Sequence, residues 1–351
     1  MPDLIIHAGT PKTGSTAIQH YLHANQHILS QAGILYPKLS INLPRKGEFT
    51  QAIGRALREP SPSHAPHLLA LLSRLKHEVD ESGASTVILS DELLFSMRRP
   101  FASLLFSSLQ PYFNRIKVVL YIRPQLELWT SLYAQECKFL GVMRSHRVWG
   151  EGCFPLGNAH KNGFFYTSVL DSCSELIGPE NVIARVYDPS GFPGGNIILD
   201  FMRLLGLENP TLPSPPSGYR NKSWGWKAVE FSKYIAFSYW ERLRKDPPFK
   251  RSMFNALIST VNSTCLASKS DWLGKAPVYL DEQEQENLYL YYERDNMVLK
   301  ERYLPEFNVT RSAEPVHWIS TSTYDIPPEE FNACLNTFVD NLPPSLRQEL
   351  F

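Results

Sequence analysis

Nowhere in this chain of 351 residues does an apolar run approach the ~20 residues that cross a bilayer as a helix. The first apolar segment starts at Leu4, leaving no room for the charged and apolar regions of a signal peptide, so the expectation is a cytoplasmic chain without a transmembrane segment. Cysteine is sparse and scattered: Cys137, Cys153, Cys173, Cys265 and Cys334 form no CxxC pair and no metal-ligand spacing. An odd number of thiols is a poor disulfide framework, so reduced structural cysteines are expected. Net charge is also lacking, with 35 basic residues against 35 acidic ones. No global field then draws the chain to nucleic acid or an anionic membrane, and any anion site must be local. The sequons at Asn221, Asn262 and Asn308 matter only in a secretory compartment and are read as chance.

What the chain has is a set of short buried-type strands separated by helical patterns. Leu4 to Ala8, Thr86 to Ser90, Ile116 to Ile122 and Val182 to Tyr187 are rich in branched residues, the mark of a parallel α/β sheet with crossover helices. After the first strand Ala17, Ile18, Tyr21 and Leu22 form an apolar stripe at helical spacing, so a helix begins near Gly14. Helices are expected over His64 to Ser82, from Pro124 to about Leu140, and over Asn196 to Leu205. Glu208 to Ser223 carries four prolines and reads as a loop. Beyond it the pattern is helical, clearest over Trp224 to Arg244 and Glu282 to Tyr303. The expectation is a single domain over 1–351: a nucleotide-binding α/β core over 1–207, with its parallel sheet flanked by helices, and a mostly helical extension over 208–351.

The chemistry concentrates at the strand ends. Gly9-Thr10-Pro11-Lys12-Thr13-Gly14-Ser15-Thr16 joins the first strand to the first helix. Backbone NH groups there, with the positive end of the helix dipole, suit a polyanion. Gly9 and Gly14 have the spacing of a Walker A loop, but Ser15 stands where that motif has its lysine, and Lys12 precedes Gly14 by two. The loop is P-loop-like without being Walker A. The third strand ends in Arg123, and the helix after it carries Ser131, a guanidinium fork and a hydroxyl that together can hold a terminal phosphate. The second ends in Asp91-Glu92, where a carboxylate can take a proton from an attacking hydroxyl or amine.

The run P-K-T-G-S-T resembles the 5'-phosphosulfate loop of sulfotransferases that use 3'-phosphoadenosine 5'-phosphosulfate (PAPS). Arg123 and Ser131, eight apart, resemble that family's 3'-phosphate site, and S-D-E-L-L resembles the strand end that carries its catalytic base. The resemblance implies a P-loop-type fold and no required metal. Lys12 would contact the oxygen bridging phosphate and sulfate, Thr13, Gly14, Ser15 and Thr16 would hold the phosphosulfate, and Glu92 would be the base, with Asp91 as its rival. Gly178 to Asp188 and Asp200 to Leu207 resemble the middle of bacterial members, and Tyr219 to Ser223 their nucleotide-covering loop, which makes Asn221 and Lys222 nucleotide contacts. Tyr292 to Leu304 resembles their terminal helix. The implied reaction is sulfuryl transfer to a hydroxyl or amine; the glutamate-type base points to a carbohydrate or glycolipid acceptor.

Two other readings stay open. Apolar residues followed by Asp91-Glu92 also describe a Walker B strand of a Mg-ATP kinase or ATPase. A non-catalytic nucleotide-binding protein of the same fold is the other. His7 reads as a packed or hydrogen-bonded core histidine. His20, His23 and His27 have spacings of three and four and read as one solvated helix face. Gly141 to Asn162, rich in glycine, aromatic and basic residues, is either an acceptor-side lid or a surface loop.

Overall fold

The computed structural model describes residues 1–37, 64–91, 99–139, 164–207, 224–245, 251–267, 272, 280, 282–307 and 326–350. They form two compact units: Met1–Pro124 with Phe165–Tyr219 and Tyr292–Val309, and Gln125–Phe164 with Arg220–Tyr291 and Thr310–Phe351.

The first unit is built on a five-stranded, wholly parallel sheet. Its strands are β1 (Asp3–Ala8), β2 (Ile34–Leu35), β3 (Thr86–Asp91), β4 (Ile116–Ile122) and β5 (Val182–Val186), in the order β2-β3-β1-β4-β5. The four expected strands are present, and β2 adds a fifth at the edge. Two residues are too few for any periodicity to mark β2 in the sequence. Parallel pairing requires crossover connections, and these are helices: α1 (Ser15–Ala24), α2 (Gln26–Gln31), α3 (His64–Ser82), α4 (Arg99–Leu109), α5 (Gln125–Lys138) and α6 (Tyr166–Ile177), with α7 (Ile197–Leu204) after β5.

Side chains alternate across the sheet. Ile5, Ile88, Val119 and Tyr121 share one face with Ile18, Tyr21 and Leu22 of α1 and with Ile197, Ile198, Phe201 and Met202 of α7, all buried. Full burial of each aliphatic or aromatic side chain is worth ~1.5–3 kcal/mol. A polar clamp fixes α7 to this face. Tyr121 Oη donates to Asp200 Oδ2 at 2.8 Å, and Arg185 donates from Nη2 to Oδ1 at 2.6 Å and from Nε to Oδ2 at 3.2 Å. Burial, then the Asp200 charge, pushes the Tyr121 phenol far above its ordinary value, so it stays a donor. α6 packs on β4, β5 and α4. Its N-terminus is capped by Asp295, which accepts from Tyr166 N at 2.9 Å, Thr167 N at 3.2 Å and the Thr167 hydroxyl.

The second unit contains α5, α8 (Trp226–Lys245), α9 (Arg251–Ala267), α11 (Pro328–Asn341) and α12 (Pro344–Leu350). α10 (Glu282–Arg302) contributes residues to both units. α8 and α9 pack on α5, and α9 on α11. Trp129 and Tyr133 stack within α5, their ring planes 4° apart. Glu330 gathers Lys227 Nζ at 2.8 Å and Trp272 Nε1 at 2.5 Å.

The histidine face is corrected. The first helix stops at Ala24 and a second begins at Gln26, so His27 does not share a helix with His20 and His23. Asn25 makes the break, its side-chain and backbone N–H groups both turning back to the Tyr21 carbonyl, at 2.8 and 3.1 Å. Among the described residues, no helix is long and apolar enough to cross a membrane. The expected loops over Gly141 to Asn162 and Glu208 to Ser223 lie outside the described residues.

Candidate functional site

The carboxyl ends of β3, β1 and β4 lie side by side, where ligands bind open α/β sheets. The Gly9-to-Gly14 loop leaves the middle one and is tied to both neighbours. Gly9 N donates to the Asp91 carbonyl of β3 at 3.2 Å, and Thr10 Oγ1 to the Tyr121 carbonyl of β4 at 2.5 Å. Thr13 Oγ1 closes the turn on the Thr10 carbonyl at 2.6 Å. Both threonines are fully buried. The Thr10 hydroxyl ties the loop to β4 and the Thr13 hydroxyl satisfies a carbonyl inside it, so the loop's shape is set by its own side chains as well as by its flanking elements.

Lys12 has φ 65°, the one positive value among the described non-glycine residues. An L residue there is strained by roughly 1–2 kcal/mol, and such residues concentrate at ligand sites. The strain is held in place by Arg123, whose Nη1 donates to the Lys12 carbonyl at 3.1 Å. Gly14 has φ 78° and immediately precedes α1. Its carbonyl accepts from Ala17 N and Ile18 N, and it has no side chain to cap the NH groups of the first turn. A Cβ at Gly14 would also lie 3.1 Å from the Ile197 side chain and 3.5 Å from the Tyr187 ring. Both the conformation and the closeness of Ile197 therefore favour glycine here.

Ser15, the first residue of α1, is 2% exposed, and its Oγ has no hydrogen-bond partner among the described residues. A buried hydroxyl left in that state costs about 1–3 kcal/mol. Together with an uncapped helix N-terminus beside it, the hydroxyl fits an anion with acceptor oxygens, such as a phosphate or phosphosulfate group.

Arg123 is half-buried directly after β4 and is fixed at three points. Its guanidinium meets the Lys12 carbonyl and lies 5.5 Å from the centre of the Tyr187 ring, while its own carbonyl accepts Tyr166 Oη at 2.6 Å. Tyr187 is itself anchored, its N–H donating to the Ile122 carbonyl at 2.7 Å. Asp91 ends β3 half-buried. Its charge lies near Tyr36, whose phenol is pushed up first by burial and then by Asp91.

The structure therefore brings Lys12, Thr13, Gly14, Ser15, Thr16, Arg123 and Asp91 together at one end of one sheet. Ser131 sits half-buried on α5, in the second unit. Glu92, Asn221 and Lys222 lie outside the described residues. Sequence reasoning missed Tyr187 and Ile197 as the walls against Gly14; their signal, an aromatic at a strand end and an isoleucine opening a helix, is too common to single out.

Behind the loop lies a buried polar line. His7 of β1 pairs in register with Ser90 of β3, and His7 Nδ1 is 2.8 Å from Ser90 Oγ. Gln19 Nε2 of α1 donates to Ser90 Oγ at 3.3 Å and to the Ser90 carbonyl at 3.4 Å. Burial lowers the His7 pKa to about 4, so the ring is neutral at physiological pH.

No family model matches the chain. A stretch of 47 residues is 40% identical to an uncharacterized protein of Archaeoglobus fulgidus, and the match covers 13% of this chain and 13% of that relative. Among solved structures, a sulfotransferase from Alicyclobacillus acidocaldarius is similar over 68% of this chain and 92% of its own, with 14% identity and a TM-score of 0.41.

Proposed function

We propose that this chain is a sulfotransferase that takes a sulfuryl group from PAPS and passes it to a hydroxyl or amine of a carbohydrate or glycolipid acceptor. The observation that supports this reading most is the loop itself. An anion cradle ends in an uncapped helix with a buried, unpartnered Ser15 hydroxyl, and Arg123 is hydrogen-bonded to the same loop. PAPS, when bound, supplies an electrophilic sulfuryl group attached to a good leaving phosphate.

The chain's residues divide the remaining work. The NH groups of Thr13 to Thr16 and the Ser15 hydroxyl hold the 5'-phosphosulfate. Lys12 stabilises the charge that grows on the bridging oxygen as the bond to sulfur breaks, which is where preorganised electrostatics lower a barrier most. Arg123 takes the 3'-phosphate; the family resemblance adds Ser131, Asn221 and Lys222 as nucleotide contacts. Glu92, the residue after β3, draws the proton from the acceptor. β3 and β4 flank β1 on opposite sides, and in this reading the acceptor approaches from the β3 side while the 3'-phosphate is held on the β4 side. No step in this scheme calls for a metal.

Arg123→Ala separates the parts. Titration calorimetry is expected to show affinity for adenosine 3',5'-bisphosphate weakened about tenfold or more, the loss of a charge-assisted contact, with ADP affinity changed less than about twofold. Equal losses for both nucleotides would mean that Arg123 serves only the Lys12 carbonyl.

A further inference from the structure

Three elements that build the candidate site meet at one buried polar line: β1, which launches the loop; α1, whose first turn is the cradle; and β3, which ends at Asp91 with Glu92 next. The line runs Gln19, Ser90, His7, and all three residues are at most 6% exposed. Gln19 Nε2 can only donate, so Ser90 Oγ accepts from it; the hydroxyl has a second lone pair, so the His7 tautomer sets the direction of the remaining bond, and with a bare Nδ1 the Ser90 proton goes to His7. In that tautomer the imidazole carries its proton on Nε2, which has no hydrogen-bond partner among the described residues; the ring packs against aromatic rings, its centre 5.3 Å from that of Phe201 and 6.0 Å from that of Tyr121. The reverse tautomer would bury a bare Nε2 lone pair among those rings and leave the Ser90 proton to find another acceptor.

A neutral imidazole in mid-strand is an expensive way to fill a core. Leucine or phenylalanine would bury there without a polar group, since a buried polar atom costs unless it is bonded. The hydrogen bond gives what packing lacks, a fixed distance and direction between neighbouring strands one residue before Asp91. Gln19 and Ser15 are one helical turn apart on α1, so the same line also sets the face that carries the unpartnered Ser15 hydroxyl.

We propose that His7 is a positioning residue: through Ser90 and Gln19 it fixes the carboxyl end of β3 against the first turn of α1, so that the base at that strand end is aligned with the group held in the cradle. The role of the strand end rests on the sulfotransferase reading; the relay itself does not. A leucine at position 7 removes the acceptor for the Ser90 proton, whereas an asparagine of the same size retains one in its Oδ1.

The test uses the full chain with His7→Leu, His7→Asn and Ser90→Ala. Two quantities are compared: the dissociation constant for adenosine 3',5'-bisphosphate, and the single-turnover loss of labelled sulfate from PAPS to water. In that reaction a water oxygen forms the new bond to sulfur, the bridging oxygen leaves with its electron pair, and the proton goes to the strand-end base. His7→Leu and Ser90→Ala are expected to slow sulfate release about tenfold while nucleotide affinity stays within about threefold of the parent, and His7→Asn to recover most of the rate. Affinity and rate falling together, or His7→Asn behaving like His7→Leu, would reduce His7 to packing and overturn the proposal. Nitrogen-15 spectra of the histidines test the relay without any nucleotide. They should show His7 at pH 7 neutral with a bare Nδ1, and Ser90→Ala should move that Nδ1 resonance; an unmoved resonance overturns the relay. A parent chain that neither binds nor desulfurylates PAPS overturns the functional reading alone, and the spectra then decide the relay.

Discussion

Lys12→Ala is expected to lower turnover about 100-fold while leaving the affinity for adenosine 3',5'-bisphosphate within about threefold, the pattern of a lost transition-state donor. Lys12 holds φ 65° and its carbonyl is bonded to Arg123, so the loop's shape at this position depends on the main chain. Alanine suffers the same left-handed strain as lysine, and the substitution removes the ammonium group without changing that term. In the proposed reaction what is lost is charge near the bridging oxygen, which would matter little in the bound ground state and most as the leaving phosphate gains charge. The two quantities are read by labelled-sulfate release from PAPS and by calorimetry. A nucleotide affinity weakened 100-fold, with turnover at saturation unchanged, would make Lys12 a binding residue and remove it from the chemistry.

Glu92→Gln carries the other large effect. Removal of a general base by an isosteric amide is expected to depress turnover by roughly 10²–10⁴-fold at saturating PAPS, with nucleotide affinity unchanged. Asp91→Asn is the paired control, expected to change turnover less than about fivefold. Asp91 belongs to the strand: its carbonyl receives Gly9 N, and its carboxylate lies near Tyr36, whose phenol is held protonated by burial and by that charge. A side chain engaged beside a buried phenol is a poor choice for a base that must meet an acceptor. Reversed outcomes would transfer the base to Asp91. Two silent substitutions, in a protein that still binds the bisphosphate, would favour the non-catalytic reading.

Contiguous features of the fold were legible in the sequence. The runs at Leu4, Thr86, Ile116 and Val182 are apolar blocks between turn signals, and burial on both faces of a parallel sheet dictates that pattern. The strand–loop–helix turn after β1 was legible for the same reason, since its parts follow one another along the chain. Shorter or longer-range features were not. β2 has two residues, and the break at Asn25 depends on one side chain turning back to Tyr21. The relay joins His7 to a serine 83 residues away and to a glutamine on another element, and the Tyr121–Asp200–Arg185 clamp joins β4, α7 and β5. His7 itself could be placed in the core from its position among apolar residues, but its partner could not be named before the strand register put Ser90 opposite. The grip of Arg123 on the Lys12 carbonyl likewise depends on β4 lying next to β1, which no local pattern encodes.

The central claim is that this cradle serves a 3'-phosphorylated sulfuryl donor and not a nucleoside triphosphate. Calorimetry of the full chain against adenosine 3',5'-bisphosphate and against ADP, each with and without Mg²⁺, tests it before any acceptor is known. The account predicts binding of the bisphosphate at least about tenfold tighter than ADP and indifferent to Mg²⁺, because the discriminating contact is a guanidinium fork on the 3'-phosphate. ADP bound as tightly as the bisphosphate, and only when Mg²⁺ is present, would contradict it and make Asp91-Glu92 the Walker B pair of a kinase or ATPase.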